Sequence, residues 1–128
     1  MLDIRIYYED TDAGGVVYHA NYLKYMERGR TEALRSLGFE QRQLKQDEDM
    51  VFALTRTDLH YKRPALLDDL LTVKSELLLA KGAKMVFKQR IYRGDMLLVD
   101  ADITLACIST TGRPKRIPQA ILARLEQE

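Results

Sequence analysis

The chain has 128 residues, of which 46% are apolar and 30% are charged, and its formal net charge is +1. That length predicts a single domain over residues 1–128. A nearly neutral chain has no bulk attraction for nucleic acid. No apolar run approaches the roughly 18 residues of a membrane-spanning helix, and the N-terminal segment lacks the pattern of a signal peptide. Cys107 is the only cysteine and cannot form an internal disulfide, so we expect a reducing, cytoplasmic location.

The first predicted elements are a strand and a long helix. Apolar and more polar residues alternate over residues 2–8, which is the periodicity of a strand. Apolar residues then recur at three- and four-residue steps, with Asn21 as the expected N-cap and Gly38 as the C-terminal stop. Residues 41–49 read as a polar loop or a short helical turn. The predicted apolar face of the helix consists of Tyr22, Leu23, Met26, Ala33, Leu34 and Leu37.

Four further strands fill most of the remaining sequence. They are predicted over residues 50–62, 70–80, 84–92 and 97–108, with turns at Lys81-Gly82 and Arg93-Gly94-Asp95, and a short helix follows over residues 118–127. Hairpin turns imply antiparallel pairing. The pattern therefore predicts an α+β domain in which a curved five-stranded antiparallel sheet wraps around one long helix. The other face of the sheet must meet solvent or a second subunit.

The stretch YYEDTDAGGVVYHANY at residues 7–22 carries the candidate chemistry. It combines acidic residues, two glycines that permit a close approach of a ligand, and the start of a helix, whose free N–H groups can hold an oxyanion. Those are the groups needed for attack on a carbonyl. The sequence contains no G-x-S-x-G motif, no zinc motif and no phosphate-binding loop. We therefore expect carboxylate chemistry, possible help from one histidine, and no metal or cofactor.

This stretch, followed by ERGRTEALR, closely resembles the hotdog-fold acyl-CoA thioesterases. Within them it is similar to the YbgC-like, Tol-Pal-associated branch, which is related to 4-hydroxybenzoyl-CoA thioesterase. The pattern D-x-D-x-x-G-x-V-x-x-x-N-Y is present without a gap, and the specific match runs from about residue 5 to residue 38. The resemblance implies a single hotdog domain that hydrolyses acyl-CoA, with small to medium acyl groups as the expected substrates.

The resemblance also implies roles for individual residues. Asp12 matches the catalytic carboxylate, acting either as nucleophile, through a mixed anhydride, or as general base for water. The backbone N–H of His19 matches the oxyanion donor, and its side chain is a second catalytic candidate. The expected substrate-binding residues are Tyr8, Gly15, Tyr18 and Asn21. Asn21 is expected to cap the helix and shape the loop rather than to react.

Other readings remain open at this stage. The substrate could be a thioester of acyl carrier protein, or the chain could be a non-catalytic adaptor in an envelope complex. A hotdog hydratase is disfavoured because Asp12 and His19 are seven residues apart, two more than in the hydratase motif. An exposed sheet edge favours pairing, and the resemblance implies a homodimer or homotetramer with sites at the protomer interface. Several lysines and arginines, Lys62-Arg63 among them, could contact the phosphates of coenzyme A.

Overall fold

The computed structural model describes residues 1–126 and contains five strands, three α-helices and one 3-10 turn. The predicted end of the last helix at Gln127 lies outside the described residues. Within residues 1–126, none of the helices is both long enough and apolar enough to cross a membrane. The elements in chain order are β1 (Leu2–Arg5), the 3-10 turn (Tyr8–Asp10), α1 (Asn21–Ser36), α2 (Gln41–Glu48), β2 (Val51–Tyr61), β3 (Leu70–Lys81), β4 (Lys84–Arg93), β5 (Met96–Ile108) and α3 (Gln119–Glu126).

All five strands form one antiparallel sheet in the order β1-β3-β4-β5-β2. The two predicted hairpin turns are confirmed, because Gly82 and Gly94 adopt the left-handed conformation between the paired strands, with φ of +62° and +58°. Register shifts interrupt three of the four strand pairings, namely β2–β5, β3–β4 and β4–β5. Such bulges bend strands, and the sheet curves around α1. This is the hotdog arrangement that the sequence predicts.

The core lies between α1 and one face of the sheet. At Gly29 the helix approaches β3 so closely that an added Cβ would lie 2.8 Å from Cγ1 of Val73. One polar side chain, Gln89, is fully buried in this layer and donates from Nε2 to the Met26 carbonyl oxygen at 2.9 Å. The buried apolar residues of the inner sheet face are Leu71, Val73, Met85, Phe87, Ile91, Val99, Ala101, Ile103, Leu105 and Cys107.

The opposite face of the sheet carries charged residues at alternating positions. Lys88 Nζ lies 3.1 Å from Asp100 Oδ1 and 3.3 Å from Asp102 Oδ1, and Arg90 Nε lies 3.3 Å from Asp100 Oδ1. Side chains along a strand point alternately to the two faces of the sheet. The alternation of apolar and charged residues therefore places the apolar ones against α1 and the ion pairs on the opposite face. These paired charges suit contact with water.

The end of β1 and the apolar face of α1 differ from the sequence prediction. The first strand ends at Arg5 rather than Tyr8, because the chain turns into a 3-10 segment that leaves Tyr8 82% exposed. The apolar face of α1 includes Tyr25, which is 1% exposed, but Leu23 is 36% exposed. Leu23 instead borders an open cavity beside β2. Helical periodicity predicts which side of α1 is apolar. How many residues of that side are buried depends on how far the sheet extends beneath the helix.

Cys107 is fully buried in β5. Burial raises the pKa of its thiol, and the positive charge of Lys115 opposes that shift only partly. A thiol with a raised pKa is less ionised at a given pH, and the thiolate is the reactive form. The residue is a core side chain rather than a nucleophile.

Candidate active site

The loop before α1 is held together by Asp10. Its carboxylate Oδ2 accepts a hydrogen bond from the Tyr7 N–H at 2.7 Å. Its carbonyl oxygen accepts two more, from the Tyr18 N–H at 3.0 Å and from Nδ2 of Asn21 at 2.9 Å. The first acid of the D-T-D motif is therefore a structural anchor. It fixes both ends of the loop that carries the second acid.

Asp12 lies in a tight turn that leaves part of its carboxylate free. Oδ1 accepts the Gly14 N–H at 2.8 Å, and an added Cβ on Gly14 would lie only 3.2 Å from that oxygen. The Asp12 N–H donates to the Val16 carbonyl at 2.8 Å, and the Asp12 carbonyl accepts from Gly15 at 3.0 Å. Within residues 1–126, Oδ2 takes part in no hydrogen bond. One carboxylate oxygen orients the group, and the other is available for chemistry.

Helix α1 begins next to this turn without a side-chain cap. The N-cap residue is Ala20, and no side chain accepts a hydrogen bond from the first turn. In the described part of the chain, the His19 N–H has no hydrogen-bond acceptor. The prediction that Asn21 is the N-cap is wrong. Asn21 is the first helical residue, and its carboxamide donates to the Asp10 carbonyl instead of accepting from the helix.

A cavity of about 320 Å³ brings the two predicted catalytic residues together. Asp12 and His19 border it on one side, and the last residue of β2 with the three residues after it border it on the other. Tyr61 joins the two sides, because its hydroxyl donates to the His19 carbonyl oxygen at 3.1 Å. Tyr22 supports the rim, since its hydroxyl accepts the Ala65 N–H at 3.0 Å, and burial raises the pKa of this hydroxyl. The lining residues are Asp12, Val16, Val17, His19, Tyr22, Tyr61, Lys62, Arg63 and Pro64.

The four predicted substrate-binding residues lie around this cavity rather than inside it. Tyr8 and Gly15 border a second depression, which also reaches Asp12. The Tyr18 ring is 46% exposed, and its centroid lies 4.5 Å from that of the His19 imidazole. Asn21 is partly buried and holds the loop. None of these four residues borders the cavity shared by Asp12 and His19.

Sequence reasoning did not place Tyr61 or Pro64 beside the predicted catalytic residues, and it named Lys62-Arg63 only among several basic residues that could contact coenzyme A phosphates. Tyr61, Lys62, Arg63 and Pro64 follow His19 by more than forty positions, yet they border the same cavity. The available signals were the break at Pro64 and the adjacent positive charges. Neither signal says which end of the sheet meets the helix start.

A separate cavity of about 240 Å³, called the apolar cavity below, lies between the middle of α1 and the sheet. Its walls are mostly apolar, and Glu27 and Arg30 contribute the charged groups. Nη1 of Arg30 donates to Gln89 Oε1 at 2.8 Å, and burial lowers the pKa of Arg30 while Glu27 opposes that shift. The apolar lining includes Leu23, Leu34, Phe52, Leu54, Met85, Phe87 and Leu105. In residues 1–126, no group of three or more acidic, histidine or cysteine side chains is arranged to hold a metal ion.

Gly15 tests how strongly the turn geometry matters for activity. Its φ is +82°, and an added Cβ would contact nothing within 4 Å, so substitution acts only through the backbone conformation. We expect Gly15→Ala to destabilise the fold by about 1 kcal/mol and to lower kcat/KM about 10-fold by displacing Asp12. Steady-state kinetics and urea unfolding measure the two effects.

Gly112→Ala is the matched control for this prediction. Gly112 also has a left-handed φ, of +87°, and open space around it, but it lies in a loop after β5. It should show a similar loss of stability and keep its activity. Equal losses of activity in the two variants would show that the turn has no special link to Asp12.

Comparisons with known proteins agree with the fold. The family model described as Thioesterase superfamily matches residues 14–99, well over half of the chain. The chain therefore belongs to the Thioesterase superfamily, which makes it an enzyme of the thioester-hydrolase class. This confirms the resemblance seen in residues 7–22.

The similar proteins include two relatives that match nearly the whole chain. The acyl-CoA thioesterase YbgC of Haemophilus influenzae is 43% identical over 94% of this chain and 89% of its own length. The acyl-CoA thioester hydrolase YbgC of Escherichia coli O6:H1 is 40% identical over 97% and 93%. Among solved structures, a probable thioesterase from Bartonella henselae is 38% identical, with a TM-score of 0.89, and covers 91% of this chain and 97% of its own.

Proposed function

We propose that this chain hydrolyses acyl-CoA thioesters with small to medium acyl groups to a free acid and coenzyme A. The observation that carries the proposal is the shared cavity, which is lined both by Asp12 and by His19, the residue just before the N-cap of α1. Relatives named for acyl-CoA hydrolysis, at 40–43% identity, support the substrate class. A cytoplasmic location, where coenzyme A thioesters are made, fits both this substrate and the single buried thiol.

The reaction needs an oxyanion donor and a carboxylate. The thioester carbonyl oxygen would accept the His19 N–H, where the partial positive charge of the helix start stabilises the developing oxyanion. Asp12 then has two routes. It attacks the carbonyl carbon to form a mixed anhydride that water hydrolyses, or it takes a proton from an attacking water. In both routes the C–S bond breaks, the thiolate takes up a proton, and the Asp12 carboxylate is regenerated.

The surroundings of Asp12 would hold the substrate. Tyr8 and Gly15 border the outer side of the carboxylate, and the Tyr18 ring packs on the His19 imidazole, so all three can contact the bound thioester. The role of Asn21 is to fix the loop through the Asp10 carbonyl. A cavity of about 320 Å³ is at the lower end of the range for small-molecule sites. That size supports small to medium acyl groups.

A second copy of the chain would complete the site. Strand β2 is an 11-residue edge strand, and no strand within residues 1–126 pairs with its outer backbone groups. Natural proteins seldom leave such edges open. Leu54, on this strand, is 48% exposed at the mouth of the apolar cavity. Antiparallel pairing of two β2 strands covers both features. It also brings the Asp12 end of one chain toward the apolar cavity of the other.

We therefore expect a homodimer, or a homotetramer built from two such dimers. Light scattering on a size-exclusion column measures the mass directly. A particle with the mass of two or four chains agrees with the proposal. A stable, fully active particle of one 14.8 kDa chain contradicts it.

The proposed activity is tested by release of the thiol from a panel of thioesters. The panel runs from acetyl-CoA to octanoyl-CoA and includes benzoyl-CoA and an acyl thioester of acyl carrier protein. We expect turnover of the coenzyme A esters, with the fastest rates among the shorter chains. If only the carrier-protein thioester is hydrolysed, the substrate is a thioester of acyl carrier protein and not of coenzyme A. No turnover of any member by folded protein would contradict the proposed activity.

A further inference from the structure

The space between α1 and the sheet is divided into two cavities. The apolar cavity, of about 240 Å³, lies on the side of β2 and β5. A cavity of about 380 Å³, called the β3-side cavity below, lies on the side of β3, where Ala33, Leu37 and Leu77 form apolar parts of its wall. In the part of the chain that the structure describes, Phe87 alone borders both cavities. Its side chain therefore lies between them.

The division at Phe87 consists of an apolar ring alone. Phe87 lies in β4, between Leu77 and Ile103 of the two neighbouring strands, and is 4% exposed. The next buried residue of β4, Gln89, closes the space differently, because its carboxamide forms hydrogen bonds to both α1 and β3. A phenyl ring forms no such bonds and separates the cavities only by its bulk. A smaller apolar side chain at position 87 would therefore join them without leaving a polar group unpaired.

We propose that Phe87 limits the length of the acyl chain that this protein accepts, because a chain that fills the apolar cavity ends against the phenyl ring. This inference rests on the proposed acyl-CoA activity. The proposed pairing of two β2 strands brings the Asp12 end of one chain toward the mouth of the apolar cavity of the other, where Leu54 is exposed. Each further methylene group adds to binding only while apolar space remains for it. The ring therefore sets the chain length beyond which affinity stops rising.

The test measures kcat/KM for dodecanoyl-CoA and for butyryl-CoA in wild type and in variants of Phe87. In Phe87→Ala, the ratio of the first value to the second should rise about 10-fold, an effect that the burial of about two further methylene groups would give. Phe87→Leu keeps more of the apolar volume and should give a smaller rise in the same direction. It decides the question if Phe87→Ala does not fold. A ratio that stays at the wild-type value in each folded Phe87 variant would overturn the assignment.

Two controls distinguish an opened passage from a loosened core. Ala33→Phe places a ring in the β3-side cavity from α1. Combined with Phe87→Ala it should return the ratio toward the wild-type value, and alone it should leave the ratio unchanged. Leu71→Ala removes another fully buried side chain, one that borders neither cavity, and should also keep the wild-type ratio. An equal rise in Leu71→Ala and Phe87→Ala would contradict the proposal.

Binding of dodecanoate, measured by calorimetry, separates this inference from the proposed activity. If folded wild type hydrolyses neither thioester, the proposed activity fails. The role of Phe87 is then judged by the Kd for dodecanoate, which should fall about 10-fold in Phe87→Ala and rise again when Ala33→Phe is added. A Kd that is the same in wild type and in the folded Phe87 variants would reject the role of Phe87 in either case.

Discussion

Asp12→Asn should lower kcat for acyl-CoA hydrolysis by about 100-fold or more, the size of effect typical of a catalytic acid–base group. The amide cannot act as a base and is a poor nucleophile. Its carbonyl oxygen can still accept the Gly14 N–H that the native Oδ1 accepts at 2.8 Å, so the turn should persist. Thiol release measured with wild type and variant in parallel gives the ratio.

Glu9→Gln is the matched control for this variant. Glu9 is an exposed acid three positions away, and it does not border the Asp12 cavity. Both changes remove one negative charge, so a general electrostatic effect would act on both. We expect the Glu9 variant to keep nearly full activity. If Asp12→Asn is as active as Glu9→Gln, Asp12 takes no part in the reaction.

Gln89→Ala should lower the free energy of unfolding by about 3 kcal/mol, since it removes three hydrogen bonds and leaves buried polar groups without partners. The side chain is fully buried and joins α1 to the sheet. Nε2 donates to the Met26 carbonyl oxygen at 2.9 Å and to Ser75 Oγ at 2.8 Å, and Oε1 accepts from Arg30. Without this side chain, the partly buried Arg30 loses its acceptor. Urea unfolding followed by circular dichroism measures the loss.

Gln43→Ala provides the comparison for Gln89. Gln43 is exposed on α2, and Nε2 donates to Asp47 Oδ2 at 2.6 Å. A surface contact of this kind contributes little, so the change should alter stability by less than about 0.5 kcal/mol. A loss of similar size in both variants would mean that the buried network does not link the helix to the sheet.

The strands and turns follow from local sequence because each has its own signal. Gly82 and Gly94 adopt positive φ in the two hairpins, and alternation along β4 and β5 assigns one face to the core. The site is less accessible to local reasoning. Asparagine is a common N-cap residue, but the Asn21 carboxamide donates a hydrogen bond to the Asp10 carbonyl oxygen instead of capping the helix. That competition depends on how the loop folds back.

The residues opposite Asp12 depend on tertiary structure in the same way. The end of β2 meets the helix start because β2 lies at the edge of the sheet, beside β5, and no local pattern fixes that order. The D-T-D motif also contains a division of roles that the letters do not reveal. Asp10 uses its carboxylate and its carbonyl in the loop, whereas Oδ2 of Asp12 has no hydrogen-bond partner within residues 1–126. The hydrogen bonds therefore distinguish Asp10, which holds the loop, from Asp12, the candidate catalytic residue.

The central claim is that a thioester binds between Asp12 and the start of α1. A crystal structure of the Asp12→Asn variant with an acyl-CoA substrate tests it most directly. We expect the thioester carbonyl oxygen within hydrogen-bond distance of the His19 N–H, and the carbonyl carbon next to the side chain at position 12. A thioester bound elsewhere, with the cavity of Asp12 and His19 filled by water, would contradict the account.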